Sequence, residues 1–146
     1  TTRSRNEGET FMILTRDVKL LTKNGMKEWS KPNIRFYLND TILTKGFDYK
    51  QTTTNLDMYA ISVKEGCVEL FSNGKVLTSR GYVAISELEI GDTLIFHKIH
   101  ETDYGVATVV LAERKISAIY CHKSENVPCL EVPYEEIIVN GLYIKA

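Results

Sequence analysis

The heptapeptide KLLTKNG at positions 19–25 returns as KVLTSRG at positions 75–81, and a second shared piece follows each copy, NDTIL at 39–43 and GDTLI at 91–95. The identical residues are Lys19, Leu21, Thr22, Gly25, Asp40 and Thr41 in the first copy and Lys75, Leu77, Thr78, Gly81, Asp92 and Thr93 in the second. Lysine, threonine and glycine are common in hairpins, so two hairpins can be alike by chance. A two-part match in the same order favours an internal duplication. It predicts two similar β subunits that pack against each other.

Short apolar runs alternate with turn residues along the whole chain. The runs include FMIL, IRFYL, YAISV, TLIF and VATVVLA, and the turns include TKNG, SRGY, EIGD, ETDYG and IVNG. Glycine and asparagine supply the positive φ that tight turns need. No stretch of ten or more residues holds a 3.6-residue period, and only ISELEIGD at 85–92 is compatible with one helical turn. The pattern predicts an all-β domain of the sandwich or barrel type.

The composition limits the partners of the chain. Its 146 residues, 43% hydrophobic and 25% charged, are enough for one domain. No apolar run approaches the ~18 residues of a transmembrane helix, so we expect no membrane contact. The formal charge of −1, without a cluster of Lys and Arg, argues against nucleic acid. No Gly-rich phosphate loop is present, and we expect neither a cofactor nor a small-molecule substrate.

Three cysteines are too few for a disulfide framework. Free thiols in a reducing, cytoplasm-like compartment are the simpler interpretation. Cys121 and Cys129 could face each other across a turn through CHKSENVPC and form a bridge if the compartment were oxidising.

The histidines, together with Cys121, raise the question of zinc, because imidazole and thiolate are natural zinc ligands. His97 and His100 lie three residues apart on a predicted strand, so their side chains point to opposite faces. His122 follows Cys121 directly. This spacing does not favour a metal site, and we predict none.

Three longer segments, taken in order, resemble the sequence blocks of the Hint domain, the family shared by inteins and hedgehog autoprocessing proteins. They are ILTRDVKLLTKNG at 13–25, CVELFSNGKVLTSRGYVAISELEIGDTLI at 67–95 and VPCLEVPYEEIIVNGLYIKA at 127–146. The resemblance implies a horseshoe-shaped all-β fold of two pseudo-symmetric halves over residues 13–146, with residues 1–12 as a leader or extein-like flanking segment. It also implies self-processing, in which the partner is the chain's own flanking polypeptide or a host protein.

The catalytic positions at the upstream splice junction do not fit that activity. Inteins usually begin with Cys or Ser, which performs the first acyl shift, and Ile13 stands at the matching position. The second block normally carries a Thr and, three residues later, a His, which polarise the scissile peptide and protonate its leaving nitrogen. Phe71 and Gly74 stand there instead.

The downstream positions differ in the same way. The closing block normally carries a His before its final strand and ends in His-Asn, where the Asn side chain cyclises. Glu135, Lys145 and Ala146 occupy these positions. One exchange of Asn for Ala is typical of an engineered trap, but several coordinated absences indicate a degenerate intein-like domain. At most, the resemblance then implies single-turnover autoprocessing.

Cys129 is the one candidate nucleophile. It stands where many inteins place an Asp, and a minority subclass without an N-terminal nucleophile uses a Cys there as its first attacker. That subclass also relies on a Trp and a Thr, for which this chain offers Tyr82 and Ile144. A nucleophilic thiol needs a nearby base or positive charge, and His122 and Lys145 are the candidates. The alternative is a small buried hydrophobe on a strand.

Two hypotheses therefore stand beside each other. In the first, the chain is a Hint-type self-processing domain, inactive in this form. In the second, it is a non-catalytic structural or protein-binding insert of a larger protein of viral or mobile-element origin, in the cytoplasm or in a virion. Because a Hint scaffold joins its two junctions, both predict the backbone at Met12–Ile13 beside Lys145–Ala146, on neighbouring central strands.

Overall fold

The computed structural model describes residues 12–28, 35–44, 51–64, 66–70, 73–101 and 107–146. These residues form thirteen strands: β1 (Met12–Thr15), β2 (Lys19–Thr22), β3 (Gly25–Glu28), β4 (Phe36–Tyr37), β5 (Leu43–Thr44), β6 (Gln51–Val63), β7 (Gly66–Leu70), β8 (Lys75–Thr78), β9 (Gly81–Ala84), β10 (Thr93–Glu101), β11 (Ala107–Val132), β12 (Glu136–Val139) and β13 (Leu142–Lys145). A 3-10 helix at Ile85–Glu87 lies where the sequence allowed one helical turn. Within the described ranges, no helix has the length and apolar character of a membrane span.

Eleven of these strands form one antiparallel sheet, in the order β3-β2-β12-β13-β8-β10-β11-β6-β7, with β1 beside β11 and β9 beside β8. β4 and β5 form a separate two-stranded sheet. The 26-residue β11 organises one side of the sheet. It pairs with β10 along 107–115, with β6 along 116–130 and with β1 along 129–132. The predicted all-β class is confirmed.

The two copies of the repeated heptapeptide form matching hairpins, β2–β3 and β8–β9. Thr22 pairs in register with Gly25, and Thr78 pairs with Gly81. In both hairpins the threonine hydroxyl donates to the glycine carbonyl at 2.7 Å and accepts the backbone N–H two residues further on. Both glycines have a positive φ, 96° and 99°, which costs glycine little. The repeated heptapeptide therefore forms the same turn twice. That the complete halves superpose stays a prediction.

Both copies bury side chains in a shared core. Leu20 of the first hairpin and Val76 of the second belong to the same cluster as Ile137 and Val139 of β12. Between these two residues of β12, Ile138 points the other way and is buried in a second cluster. β12 is thus buried on both faces, which explains its continuous apolar run. Each such side chain contributes about 1.5–3 kcal/mol when it is fully buried.

The turn between β12 and β13 joins the two halves. Asn140 and Gly141 both have a positive φ, 52° and 80°, as a tight hairpin turn requires. Asn140 donates its N–H to the Lys19 carbonyl at 2.8 Å and accepts the Lys19 N–H on its side-chain oxygen at 2.9 Å. The Gly141 carbonyl accepts the N–H of His97 at 2.7 Å. A Cβ on Gly141 would lie 3.3 Å from Cδ1 of Phe96.

The prediction of a turn within CHKSENVPC is wrong. This segment continues β11 and pairs with β6, and a register shift between Ser124 and Val127 leaves Asn126 unpaired with a φ of 53°. Cys121 and Cys129 therefore lie on one strand, roughly 26 Å apart at 3.3 Å per residue, and cannot form a disulfide. Asn126 lies in a β-bulge and does not form a turn, because the residues on both sides of the bulge pair with β6.

Alanine substitutions at three glycines test the role of the turns. We expect Gly81→Ala to lower the free energy of unfolding by about 1–2 kcal/mol, the cost of a left-handed backbone with a Cβ. Gly141→Ala should cost more, because Phe96 must also move. Gly66→Ala is the matched control, since nothing lies within 4 Å of its Cβ position and its φ is not positive. Equilibrium urea unfolding measures all three, and an equal loss in Gly66→Ala would contradict the assignment.

Candidate functional site

The upstream junction matched by resemblance lies on β1. Ile13 pairs with Glu131 of β11, and its backbone N–H donates to the side-chain oxygen Oδ1 of Asn73 at 2.9 Å. Met12, which the sequence assigns to the leader, is the first residue of β1 and is buried in the core. Residues 1–11 lie outside the described part of the chain. The Met12–Ile13 peptide is thus part of the sheet, and its N–H donates a hydrogen bond to a neutral side-chain amide.

The matched positions of the second block precede β8. Gly74, at the position of the family's His, is buried and has no side chain to offer. Phe71, at the position of the Thr, lies outside the described residues. Asn73 stands directly before Gly74 and reaches Ile13 across 60 residues of sequence. The sequence did not single out Asn73, although its place beside a matched catalytic position was a usable signal.

The downstream positions lie together at the open end of the β12–β13 hairpin. Lys145 pairs with Glu136 of β12 and with Lys75 of β8. The N–H of Ala146 donates to the carbonyl of Glu135 at 2.8 Å. The Lys145 ammonium lies 5.5 Å from the centre of the Tyr82 ring.

The short segment 73–75 contacts both junctions. Asn73 holds Ile13, and Lys75, two residues further on, is paired with Lys145. The prediction that the two junctions lie on neighbouring strands is wrong, however. β1 is hydrogen-bonded to β11, whereas β13 is hydrogen-bonded to β12, β8 and β10. The physical reason is burial: Met12 of β1 and Val132 of β11 are partners and are both enclosed in the core.

Cys129 lies in the middle of three strands. It is opposite Thr15 of β1 and Thr52 of β6, and its side chain is fully buried. The thiol donates to the carbonyl of Val127, with a sulfur–oxygen distance of 3.5 Å. Burial raises the pKa of the Cys129 thiol, which lowers the fraction of nucleophilic thiolate at neutral pH.

Neither suggested base is a hydrogen-bond partner of this thiol, and neither influences its pKa. His122 is seven residues away on the same strand, roughly 23 Å along it, and its exposed ring lies 3.9 Å from Glu69. Lys145 is on β13 and packs over Tyr82. Sequence separation did not indicate that β11 stays extended between His122 and Cys129.

The buried histidine belongs to a polar cluster that the sequence did not reveal. Nδ1 of His97 lies 3.0 Å from Oδ1 of Asp40 and 2.7 Å from the Tyr143 hydroxyl, which itself donates to the same carboxylate oxygen. Burial and then the bond to Asp40 raise the pKa of Tyr143. Asp40, His97 and Tyr143 lie on separate segments and meet only in the folded chain. His97 therefore has protein partners, and the side chain of His100 lies outside the described residues.

Solved structures of mini-inteins share this architecture. The DnaX mini-intein from Spirulina platensis matches with a TM-score of 0.64 at 15% identity, over 92% of this chain and 99% of that chain. A DnaB intein from Synechocystis matches with a TM-score of 0.60 at 11% identity, over 92% and 98%. The gp41-1 intein matches with a TM-score of 0.56 at 14% identity, over 92% and 98%. The fold is the Hint fold.

The Hint fold confirms the predicted architecture over most of the chain. No protein-family model matches the sequence, and no curated protein matches it. At 11–15% identity, the likeness to mini-inteins concerns the fold alone. The chemistry of this chain therefore depends on its own side chains.

Thiol alkylation tests the environment of Cys129. We expect iodoacetamide to modify Cys67 and Cys121, which are exposed, and to leave Cys129 unmodified until the chain is unfolded in denaturant. Burial and the raised pKa of Cys129 both slow the reaction. Peptide mass spectrometry after timed quenching gives the three rates. Alkylation of native Cys129 as fast as Cys67 would show that the thiol is accessible.

Amide exchange tests the bond between Asn73 and Ile13. We expect Asn73→Ala to speed hydrogen–deuterium exchange of the Ile13 amide by about 5–10-fold, as loss of a hydrogen bond of about 1 kcal/mol predicts. Asn73→Asp keeps an acceptor and should retain protection. Asn55→Ala is the matched control, because Asn55 holds the N–H of Asn126 at 3.0 Å and should leave Ile13 unchanged. Unaltered exchange of Ile13 in Asn73→Ala would refute the contact.

Proposed function

We propose that this chain is an intein-like Hint domain of the protein-splicing lineage that neither splices nor cleaves. The Hint fold supports the lineage. The side chains at the matched catalytic positions support the loss of activity. The observation that carries the proposal is the hydrogen bond from the Ile13 amide to Asn73.

Cleavage of the Met12–Ile13 peptide by an acyl shift needs a nucleophile, a proton for the leaving nitrogen and stabilisation of the oxyanion. Ile13 has no nucleophilic atom. Oδ1 of Asn73 accepts the amide hydrogen and has no proton to deliver to that nitrogen. Gly74 adds no group in its place.

Cys129 does not replace the missing nucleophile. Its target would be the carbonyl of Met12, and Met12 pairs with Val132, three residues beyond Cys129 on β11. That separation is roughly 10 Å along the strand, whereas attack needs atoms about 3–3.5 Å apart. The raised pKa of the thiol adds a second obstacle.

The downstream step lacks its reacting group as well. Cyclisation uses the side-chain amide of an Asn, and Ala146 at the matching position has only a methyl group. Its N–H is bonded to the carbonyl of Glu135. At Lys145 an exposed ammonium stands where the family has a His.

A second candidate function is a structural or protein-binding insert in a larger host, of viral or mobile-element origin. Residues 73–75 contact both Ile13 and Lys145, and this shared contact favours the insert function. A domain whose two junctions lie close together can stand in a host loop without separating the host's own elements. The host polypeptide is then the partner of the domain.

The test places the chain between two reporter proteins of different mass. After long incubation with and without a thiol, a denaturing gel and mass spectrometry should show only the intact fusion. Ligated reporters, or a clean break before Ile13, would overturn the inactive assignment. Loss of such a product in Cys129→Ala would then identify Cys129 as the nucleophile.

An Ile13→Cys variant in the same assay separates the missing parts. If only the nucleophile were absent, a thiol reagent would cleave the fusion at residue 13. We expect the variant to stay intact, because Asn73 and Gly74 still supply no proton to the leaving nitrogen. Rapid thiol-dependent cleavage would show that a proton donor survives elsewhere.

A further inference from the structure

A cleft of about 320 Å³ opens over the smaller core cluster, to which Leu77 and Tyr143 belong. It is lined by residues 39–41 and by Leu77, Tyr82, Leu111, Glu136 and Tyr143. This lining combines carboxylates, phenol rings and leucine side chains, and it contains no Lys, Arg or His. Such a combination favours a ligand with a positive charge on an apolar stem.

Asp40 presents its carboxylate to this cleft in a fixed orientation. Its Oδ1 accepts a hydrogen bond from the Tyr143 hydroxyl and another, at 3.0 Å, from Nδ1 of His97. Both donors are buried, whereas the Asp40 side chain is 48% exposed. The turn that carries Asp40 is also fixed, because Oδ1 of Asn39 accepts the N–H groups of residues 41 and 42 at 2.9 and 2.8 Å. A ligand therefore meets a carboxylate that is already oriented.

The second oxygen of Asp40, Oδ2, remains for a ligand. The bonds from Tyr143 and His97 both end on Oδ1, and no other described residue bonds to the Asp40 side chain. The other acid of the cleft, Glu136, accepts a hydrogen bond from Asn39 at 2.6 Å. We therefore assign the contact with a cation to Asp40, since a carboxylate oxygen accepts strong hydrogen bonds from charged donors.

An exposed aromatic and apolar surface borders this carboxylate. Tyr82 is 38% exposed and Leu111 is 52% exposed, and both line the cleft. Burial, and then the negative charges of Glu136 and Asp40, raise the pKa of Tyr82, so its hydroxyl lies in a negative potential. The ammonium of Lys145 lies 5.5 Å from the centre of the Tyr82 ring. The ring thus already accommodates one cation of the chain itself.

We propose that this cleft binds the guanidinium of an arginine residue that belongs to a partner polypeptide. The guanidinium donates to Oδ2 of Asp40, its face lies against the Tyr82 ring, and its aliphatic stem packs on Leu111. A guanidinium suits the cleft better than an ammonium, because it is more weakly hydrated and stacks on aromatic rings. The source of the arginine rests on the second candidate function, a protein-binding insert, and the contact itself requires no splicing step.

Nα-acetyl-arginine amide and Nα-acetyl-citrulline amide are the matched probes, since the two side chains have nearly the same shape and differ in charge. We expect the arginine probe to shift the backbone NMR signals of Leu77, Tyr82 and Leu111 saturably, with a Kd of about 1–10 mM for so small a contact. The citrulline probe should bind at least about fivefold more weakly, because a neutral urea replaces the cation. The titration uses the chain alone, so its outcome does not depend on whether the flanked chain splices.

Three variants and one control locate the contact. Asp40→Asn removes the charge at nearly constant shape and should weaken binding of the arginine probe about fivefold or more. Tyr82→Leu removes the ring and should weaken it about threefold. Lys145→Gln should strengthen it about twofold, because a like charge beside the Tyr82 ring is removed. Asp57→Asn changes an exposed carboxylate on β6, outside the cleft, and should leave the Kd unchanged.

Four outcomes would overturn the proposal. Absence of saturable shifts up to about 50 mM of the arginine probe would exclude the site. Equal Kd values for the arginine and citrulline probes would show a cleft that does not recognise charge. Unchanged affinity in Asp40→Asn would contradict the carboxylate contact. Tighter binding of free arginine than of its acetylated amide would assign the cleft to the amino acid in place of a polypeptide. If Asp40→Asn does not fold, the probe pair and Lys145→Gln still decide the question.

Discussion

The dipeptide Asn140–Gly141 is the constraint on which the rest of the sheet depends. Its two left-handed residues allow β12 and β13 to turn back on each other at the centre of the sheet. The same dipeptide binds Lys19 of the first repeat and His97 beyond the second. A Cβ on Gly141 would also lie 3.3 Å from Cδ1 of Phe96, so the ring would have to shift slightly. One short turn therefore sets a hairpin and joins both copies of the repeat to it.

The two hairpins of the repeated sequence have the same turn but different neighbouring contacts. In the second copy, Arg80 binds both carboxylate oxygens of Asp92 at 3.0 Å, which lowers the pKa of Asp92. That bond contributes above the unfolded-state pKa of Asp92 and is lost as the pH falls through the lower folded-state pKa. In the first copy, Asn39 holds the N–H groups of Thr41 and Ile42. The turn is the same in both copies because it depends on neighbouring residues, while the contacts that follow it differ between the copies.

Scaffold and chemistry are separable in this fold. The sheet is built from backbone pairing and apolar burial, and a splicing site from a few polar side chains added to it. Here the junction amide is bonded to a neutral acceptor, and the thiol of Cys129 is enclosed between strands. Both features belong to the packing and hydrogen bonding of the sheet itself, which does not require a splicing reaction. His97 belongs to a polar cluster with Asp40 and Tyr143, in which His97 and Tyr143 are buried and Asp40 is exposed.

The sequence by itself determined the all-β class, the repeated Thr–Gly turn and the hairpin at Asn140–Gly141, because each depends on residues that are neighbours in the chain. The mismatch of Ile13 and Gly74 with the catalytic residues that the resemblance implies was also readable from the sequence. Only the tertiary structure decided that Asn73 accepts a hydrogen bond from the Ile13 N–H and that Asp40 and Tyr143 orient the His97 ring. It also turned the expected loop before Cys129 into a continuous strand. These features depend on long-range register, which is set by the faces that the whole sheet can bury together, and no local pattern contains that information.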